Sequence, residues 1–150
     1  TNTTVALGSR LRGKPCRVFN SDTKTRIRMP TQTRFYYPDA MVVCQPNPQG
    51  DSYQDQPAVI AEVLSRATRR TDEGEKKDAY LTIPTLNVYL LIEQEAPVVT
   101  LFRRTDAGFV REVHRGLEAI ISLKEIGIDL PLAEIYDGVD CTPEEKDEEA

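Results

Sequence analysis

The sequence predicts one α/β domain in which helices flank a mixed β-sheet. Residues 40–44 form a continuous apolar run, which is typical of a strand buried on both faces. Residues 26–29 alternate polar and apolar side chains, which is typical of a strand with one solvated face. Helix signals interrupt the strands, and 150 residues are enough for one domain with a sizeable core.

The elements follow in chain order. Residues 2–11 read as a helix that ends near Gly13. A second helix is predicted over residues 72–83, with Asp72 as its cap and Pro84 as its stop. Proline and glycine make residues 45–56 a loop. We predict strands over residues 16–19, 26–29, 36–44, 58–64, 88–92, 98–102, 109–114 and 119–123, then a helical turn over 131–136.

Composition favours a soluble, cytoplasmic protein. No apolar run approaches the roughly 18 residues of a membrane span. The three cysteines are odd in number and widely spaced, so we expect no disulfide framework, with Cys44 as a small buried hydrophobe in a reducing cytosol. Residues 139–150 are almost all polar and acidic, so we expect a flexible tail after a domain over residues 1–138.

The net charge of −5 is unevenly distributed. Residues 1–80 carry 13 Lys and Arg against 9 Asp and Glu, whereas residues 81–150 carry 6 against 15. A basic front half suits a domain that meets an anion on one side. An ordinary mixed surface with an acidic tail explains the same numbers.

Two carboxylates stand out against the apolar strands. Asp39 follows Pro38 at the start of a buried strand, where it lies at the mouth of the sheet or makes a local turn. Glu62 interrupts the apolar run 59–64, where a charge is costly unless it is paired or metal-bound. If the two strands are neighbours, Asp39, Glu62 and the carbonyl of Val63 form half of a Mg²⁺ or Mn²⁺ site.

Basic residues follow the second strand. Lys76 shares one face of the predicted helix with Asp72 and Tyr80, because the three are spaced by four residues. If that face meets the strand ends, the ammonium group reaches the two carboxylates and stabilises charge on phosphorus; otherwise it is an ordinary solvated lysine. Three arginines near this helix are predicted to contact nucleic-acid phosphates: Arg66, Arg69 and Arg70. The alternative is that they only solvate the surface.

The order Asp39, Glu62 within a strand and Lys76 on the next helix resembles the PD-(D/E)xK nuclease superfamily. Within it, the chain is most similar to the Uma-type family of restriction endonucleases. The matching positions are 37–39, 57, 62–65, 68, 72, 76, 80, 83–84, 88–92, 127–128 and 130–136. The resemblance implies a restriction-endonuclease-like core and a metal-dependent DNA endonuclease, with Asp39 and Glu62 on the metal.

The sequence departs from the superfamily pattern at two places. Leu64 stands where a lysine is expected, and the resemblance implies that Lys76 takes that role. The family's additional N-terminal segment, which carries an acidic residue, is not in the sequence, so we expect one metal ligand to be missing. Two alternatives remain: a non-catalytic nucleic-acid-binding or regulatory module of the same fold, and a protein-interaction domain that forms a homodimer through an edge strand.

Overall fold

The computed structural model describes residues 2–139, and its centre is a six-stranded mixed sheet in the order β1-β4-β6-β7-β8-β9. These strands are β1 (Arg17–Asn20), β4 (Ala40–Val43), β6 (Pro57–Val63), β7 (Val88–Ile92), β8 (Val98–Thr105) and β9 (Gly108–Arg115). Only β6 and β7 pair in parallel within this sheet, and the other neighbours are antiparallel. The predicted mixed α/β architecture is confirmed.

Two smaller sheets, four α-helices and a 3-10 helical turn at Lys124–Ile126 complete the described part of the chain. One sheet has the order β3-β2-β5, with β2 (Lys24–Arg28), β3 (Thr33–Tyr36) and β5 (Tyr53–Gln54). The other pairs β10 (Ile120–Leu123) with β11 (Ile128–Pro131). The helices are α1 (Asn2–Arg10), α2 (Arg69–Glu73), α3 (Glu75–Tyr80) and α4 (Leu132–Ile135). Among residues 2–139, no helix is both long and apolar enough to cross a bilayer.

Both faces of the central strands are buried, as the continuous apolar runs predicted. Because successive side chains of a strand point to opposite faces, Ala40 and Val42 pack in one core and Met41 and Val43 in the other. The first core contains residues from α1, α4 and the β10-β11 pair. The second lies under α3, where Tyr80 is fully buried. The helices therefore cover opposite faces of one sheet.

The predicted helix over 72–83 is wrong in its bounds and its continuity. Two short helices, α2 and α3, meet at Gly74, whose backbone is not helical (φ −119°, ψ −101°). A Cβ on this residue would lie 2.8 Å from the carbonyl oxygen of Arg70, so the junction requires glycine. Asp72 does not cap a helix but lies buried inside α2.

The prediction of unpaired cysteines is also wrong. Cys16 and Cys44 form a disulfide, and Cys44 is half-buried. The pairing follows from register: Arg17 lies opposite Val43 in the antiparallel β1-β4 pair, so the next opposed positions are 16 and 44. The cysteine argument for a reducing cytosol is thereby lost, and the cytoplasmic location stays a prediction. Except for Val139, the predicted tail lies outside the described residues.

Candidate active site

Strand register brings Asp39 and Glu62 together. Ala40 lies opposite Ala61 in the antiparallel β4-β6 pair, so Asp39 and Glu62 are the next opposed positions. The Asp39 backbone N–H donates to Oε1 of Glu62 at 3.1 Å, and Oδ2 of Asp39 accepts from the Val63 backbone N–H at 2.6 Å. These reciprocal bonds fix the two carboxylates at one end of the strand pair.

Glu62 is almost completely buried, with 2% of its surface exposed. The alternation of β6 places it on the same face as Ile60 and Leu64, under α3. Its Oε2 accepts a hydrogen bond from the Tyr80 hydroxyl at 3.0 Å and lies 2.8 Å from Nζ of Lys76. Burial raises the pKa of Glu62 to about 7, although Lys76 and the Asp39 N–H act in the opposite direction.

Lys76 joins two buried acids. Its Nζ lies 2.8 Å from Glu62 and 3.2 Å from Oδ1 of Asp72, and only 19% of its side chain is exposed. Burial acts to lower the pKa of Lys76, but the hydrogen bond and charge of Glu62, with those of Asp72, outweigh it and raise the pKa. Lys76 is therefore an ammonium ion throughout the neutral pH range.

Asp72 was not among the predicted site residues, although its four-residue spacing from Lys76 was recognised. It is 2% exposed, and its Oδ1 lies near Lys76 without a hydrogen bond of good geometry among residues 2–139. The non-helical turn at Gly74 separates Asp72 from α3, yet both Asp72 and Lys76 face the sheet. The four-residue spacing from Lys76 was the sequence signal that could have identified Asp72 as a site residue. Its burial in the structure shows that it is not an exposed helix cap.

The three arginines predicted to contact phosphate lie in the chain between β6 and α3. Arg66 and Arg70 are exposed. Arg69 is engaged by two carboxylates: its Nη1 lies 2.8 Å from Glu73 and 3.0 Å from Glu93. A role for Arg69 on phosphate therefore requires it to leave these partners.

The donors around Asp39 have the chemistry that a hard cation prefers. Oδ1 of Asp39 accepts no hydrogen bond from residues 2–139, and the side chain is exposed. The Val63 N–H points toward Asp39, and the carbonyl of the same residue faces the same side of the strand. Within residues 2–139, however, no group of three or more Asp, Glu, His or Cys side chains is arranged to hold a metal. Two carboxylates and a carbonyl fit part of a Mg²⁺ sphere that water completes.

The sequence matches the model of the family Uma2, described as "Putative restriction endonuclease", over residues 1–133. The chain belongs to the Uma2 family. Two proteins of Synechocystis sp. (strain ATCC 27184 / PCC 6803 / Kazusa), both described as uncharacterized, are similar to this Uma2 chain. The protein slr1290 is 31% identical over 130 residues, which cover 86% of this chain and 67% of that protein. The protein sll1609 is 38% identical over 80 residues, which cover 51% and 44%, respectively. This chain thus spans about two thirds of one relative and less than half of the other.

A solved structure supports the fold of this Uma2 protein. A crystal structure from Anabaena variabilis ATCC 29413, described as that of "a putative nuclease belonging to DUF820", matches with a TM-score of 0.67. The match covers 89% of this chain and 75% of the other at 15% sequence identity. The restriction-endonuclease-like α/β fold predicted from the sequence is confirmed.

Proposed function

We propose that this Uma2 protein is a Mg²⁺- or Mn²⁺-dependent endonuclease that hydrolyses DNA phosphodiester bonds. The observation that carries the proposal is a chain of contacts at one sheet end: the backbone N–H of an exposed aspartate donates to a buried glutamate, which in turn contacts a half-buried ammonium group. These residues are Asp39, Glu62 and Lys76, and Glu62 lies within hydrogen-bonding distance of both of the others. The family match and the similarity to a nuclease structure support the same reaction class.

Each group has a distinct role in this proposal. Asp39, Glu62 and the Val63 carbonyl would hold the cation, with Asp39 Oδ1 as the oxygen most open to it. The bound metal supplies an activated water and a polarised phosphoryl oxygen. Lys76 stabilises the charge that develops on phosphorus, because it is held as an ammonium ion beside the site. Asp72 provides a second carboxylate that helps to orient Lys76.

The proposal links the ionisation of Glu62 to the binding of the metal. A carboxylate with a pKa of about 7 is readily protonated near neutral pH. A divalent cation at Asp39 favours the ionised form of Glu62, because opposite charges lower a carboxyl pKa. Metal binding and ionisation of Glu62 are therefore coupled, and metal affinity should rise with pH through this range.

A second candidate function is a non-catalytic nucleic-acid-binding module of the same fold. Two observations favour it: no three-ligand group exists among residues 2–139, and Lys76 already neutralises Glu62. In that case Lys76 and Glu62 form a structural ion pair, and Asp39 serves only to join the strand ends through its hydrogen bonds with Glu62 and Val63.

Plasmid nicking tests the catalytic proposal. Supercoiled DNA is incubated with the protein and Mg²⁺ or Mn²⁺, and the wild type is compared with Glu62→Gln and Lys76→Met. Matched controls are Glu125→Gln, which removes another ion-paired glutamate far along the chain, and Lys77→Met, which changes the adjacent lysine. We expect both site variants to lose at least about 100-fold in rate and both controls to retain activity. Equal nicking by the wild type and Glu62→Gln would refute the assignment.

Metal binding separates the two candidates. Mn²⁺ is titrated into the wild type and into Asp39→Asn, and binding is followed by calorimetry. The nuclease proposal expects Asp39→Asn to weaken Mn²⁺ binding at least tenfold, because it replaces the open carboxylate with an amide. If the protein is a non-catalytic module, both proteins should bind Mn²⁺ equally weakly and neither should nick DNA in the presence of metal.

A further inference from the structure

The outer face of the small β3-β2-β5 sheet carries two aromatic rings and three cations. Lys24, Arg26 and Arg28 alternate along β2, so they share the face opposite to the buried Thr25 and Ile27. Phe35 lies opposite Arg26 across the β2-β3 ladder, and Tyr53 lies opposite Lys24 across the β2-β5 ladder. We define Lys24, Arg26, Arg28, Phe35 and Tyr53 as the stacking face.

The rings of the stacking face are held in fixed positions. Phe35 and Tyr53 meet edge to face with centroids 6.1 Å apart. Arg26 lies over the Tyr53 ring at 4.1 Å and forms two 2.7 Å hydrogen bonds to the carboxylate of Asp55. Lys24 lies 4.9 Å from the centroid of Phe35. Phe35 nevertheless remains 47% exposed, so a large part of a fixed ring faces solvent.

Charge selects an anionic partner for this face. Asp55 neutralises Arg26, and Lys24 and Arg28 then supply the surplus positive charge. Rigid aromatic rings among cations are what unpaired nucleic acid requires, because every base offers a ring face and every nucleotide a phosphate. A duplex hides its base faces in its own stack, so it gains only the phosphate contacts.

The stacking face leads directly to the proposed site. Phe35, Tyr37 and Asp39 are exposed at alternate positions of one segment, whereas Tyr36 and Pro38 between them are more buried. Tyr37 is 56% exposed. Phe35 and Asp39 are four positions apart, which is at most about 14 Å of extended chain. A strand stacked on Phe35 and Tyr37 therefore arrives at Asp39.

We propose that the stacking face, continued by Tyr37, binds an unpaired DNA strand and directs it to Asp39. The inference names the substrate class of the proposed nuclease and rests on that function only for the cleavage that follows binding. Its chemistry is base stacking on Phe35 and Tyr37 with phosphate contacts to Lys24 and Arg28. The preferred substrate is then single-stranded DNA or a junction between single-stranded and double-stranded DNA.

Metal-free binding tests the inference independently of catalysis. A fluorescein-labelled 12-nucleotide oligothymidylate and a labelled 12-base-pair duplex are titrated with the full chain in EDTA, and fluorescence anisotropy is measured. We expect tighter binding of the single strand. Phe35→Ala should weaken that binding by about tenfold or more, and Tyr37→Ala should weaken it several-fold. Phe35→Tyr should restore the affinity.

The matched control is Phe109→Ala. Phe109 also carries an arginine over its ring, Arg104 at 4.6 Å, but it lies on the far edge strand β9. We expect the affinity of Phe109→Ala for the single strand to stay within about twofold of that of the wild type. Lys24→Gln and Arg28→Gln should each reduce the salt dependence of binding by about 0.7 in log–log slope. Thermal melts confirm that each variant is folded.

Several outcomes overturn the inference: no binding of the single strand at low salt, equal affinity for strand and duplex, or a Phe35→Ala protein that binds like the wild type. Tighter binding of oligouridylate than of oligothymidylate would overturn the assignment to DNA. If the strand binds as expected but no metal-dependent cleavage occurs, the proposed nuclease function fails and the stacking face stands. If the protein cuts DNA but Phe35→Ala changes neither binding nor cleavage, only the inference fails.

Discussion

Nζ of Lys76 lies 2.8 Å from Oε2 of Glu62, and this contact places a charged pair inside the second core of the sheet. Burial opposes the ionised form of both groups, and their mutual attraction favours it. For Glu62 burial is the stronger effect, and its pKa is raised to about 7. For Lys76 the neighbouring acids are the stronger effect, and its pKa is raised, which keeps it charged. The pair is therefore sensitive to pH through its acid.

Glu62 should make the folded protein less stable as pH rises. Its ordinary pKa of 4.5 is raised to about 7 by burial, so between these values the folded state holds a proton that the unfolded state has lost. Stability from this group is present below about 4.5 and is lost by about 7, which amounts to roughly 3 kcal/mol. In urea unfolding, the stability of Glu62→Gln relative to that of the wild type should rise by about 2.5 kcal/mol between pH 5 and pH 8, because most of the loss falls in this range. A constant difference at both pH values would contradict the assignment, and Glu125→Gln serves as the control.

Lys76→Met should destabilise the protein more at high pH than at low pH. Methionine keeps most of the apolar stem but leaves Glu62 and Asp72 without their shared cation. Breaking a buried pair costs about 3–5 kcal/mol, and the partial exposure of Lys76 favours the lower end. At pH 5 a protonated Glu62 no longer needs the cation, so the loss is smaller. Urea unfolding at pH 5 and pH 8 measures both values, and Lys77→Met should change neither by more than about 0.5 kcal/mol.

Gly74→Ala should destabilise the fold by about 1–3 kcal/mol, because the new Cβ has only a backbone carbonyl to move. That carbonyl belongs to Arg70 and would lie 2.8 Å away. The shift should also displace α3 and with it Lys76, so metal-dependent nicking should fall together with the unfolding midpoint. Asp78→Ala, an exposed change in the same helix, is the control. A Gly74→Ala protein as stable as the wild type would show that the junction tolerates a side chain.

Replacing both bridged cysteines with serine should cost about 3.5 kcal/mol. Cys16 and Cys44 are 28 residues apart, and a crosslink of this span restricts the unfolded chain by roughly that free energy. Urea unfolding with and without a reductant should reproduce the loss in the wild type and show no change in the double variant. Thiol counting under denaturing, non-reducing conditions should find one free cysteine of the three. Three free thiols would contradict the disulfide.

The sequence predicts the strands that carry the acids better than it predicts their surroundings. Asp39 and Glu62 stand out because each lies beside or within a buried apolar run, and burial of a charge is a local signal. The lysine was found through its spacing from Asp72 and Tyr80. What the sequence does not contain is the register that sets Ala40 opposite Ala61, because pairing is a long-range property.

The errors have the same origin. Cys16 and Cys44 are far apart in the sequence, and only the pairing of β1 with β4 brings them together. An odd number of cysteines does not exclude one disulfide. Strand β3 has four residues and β5 has two, which are too few for a periodic pattern to reveal a strand. Gly74 is a helix-breaking residue within the predicted helix over 72–83. Whether it divides the helix depends on the close approach of the Arg70 carbonyl, which the sequence does not reveal.

The single parallel pair of the large sheet has a consequence for how the protein folds. Parallel neighbours cannot be joined by a tight turn, so residues 64–87 must cross over the sheet before β7 can dock beside β6. That crossover carries Asp72 and Lys76. The segment that makes the parallel pairing possible is therefore also the one that brings Lys76 to Glu62, so shortening it would disturb both the sheet and that contact.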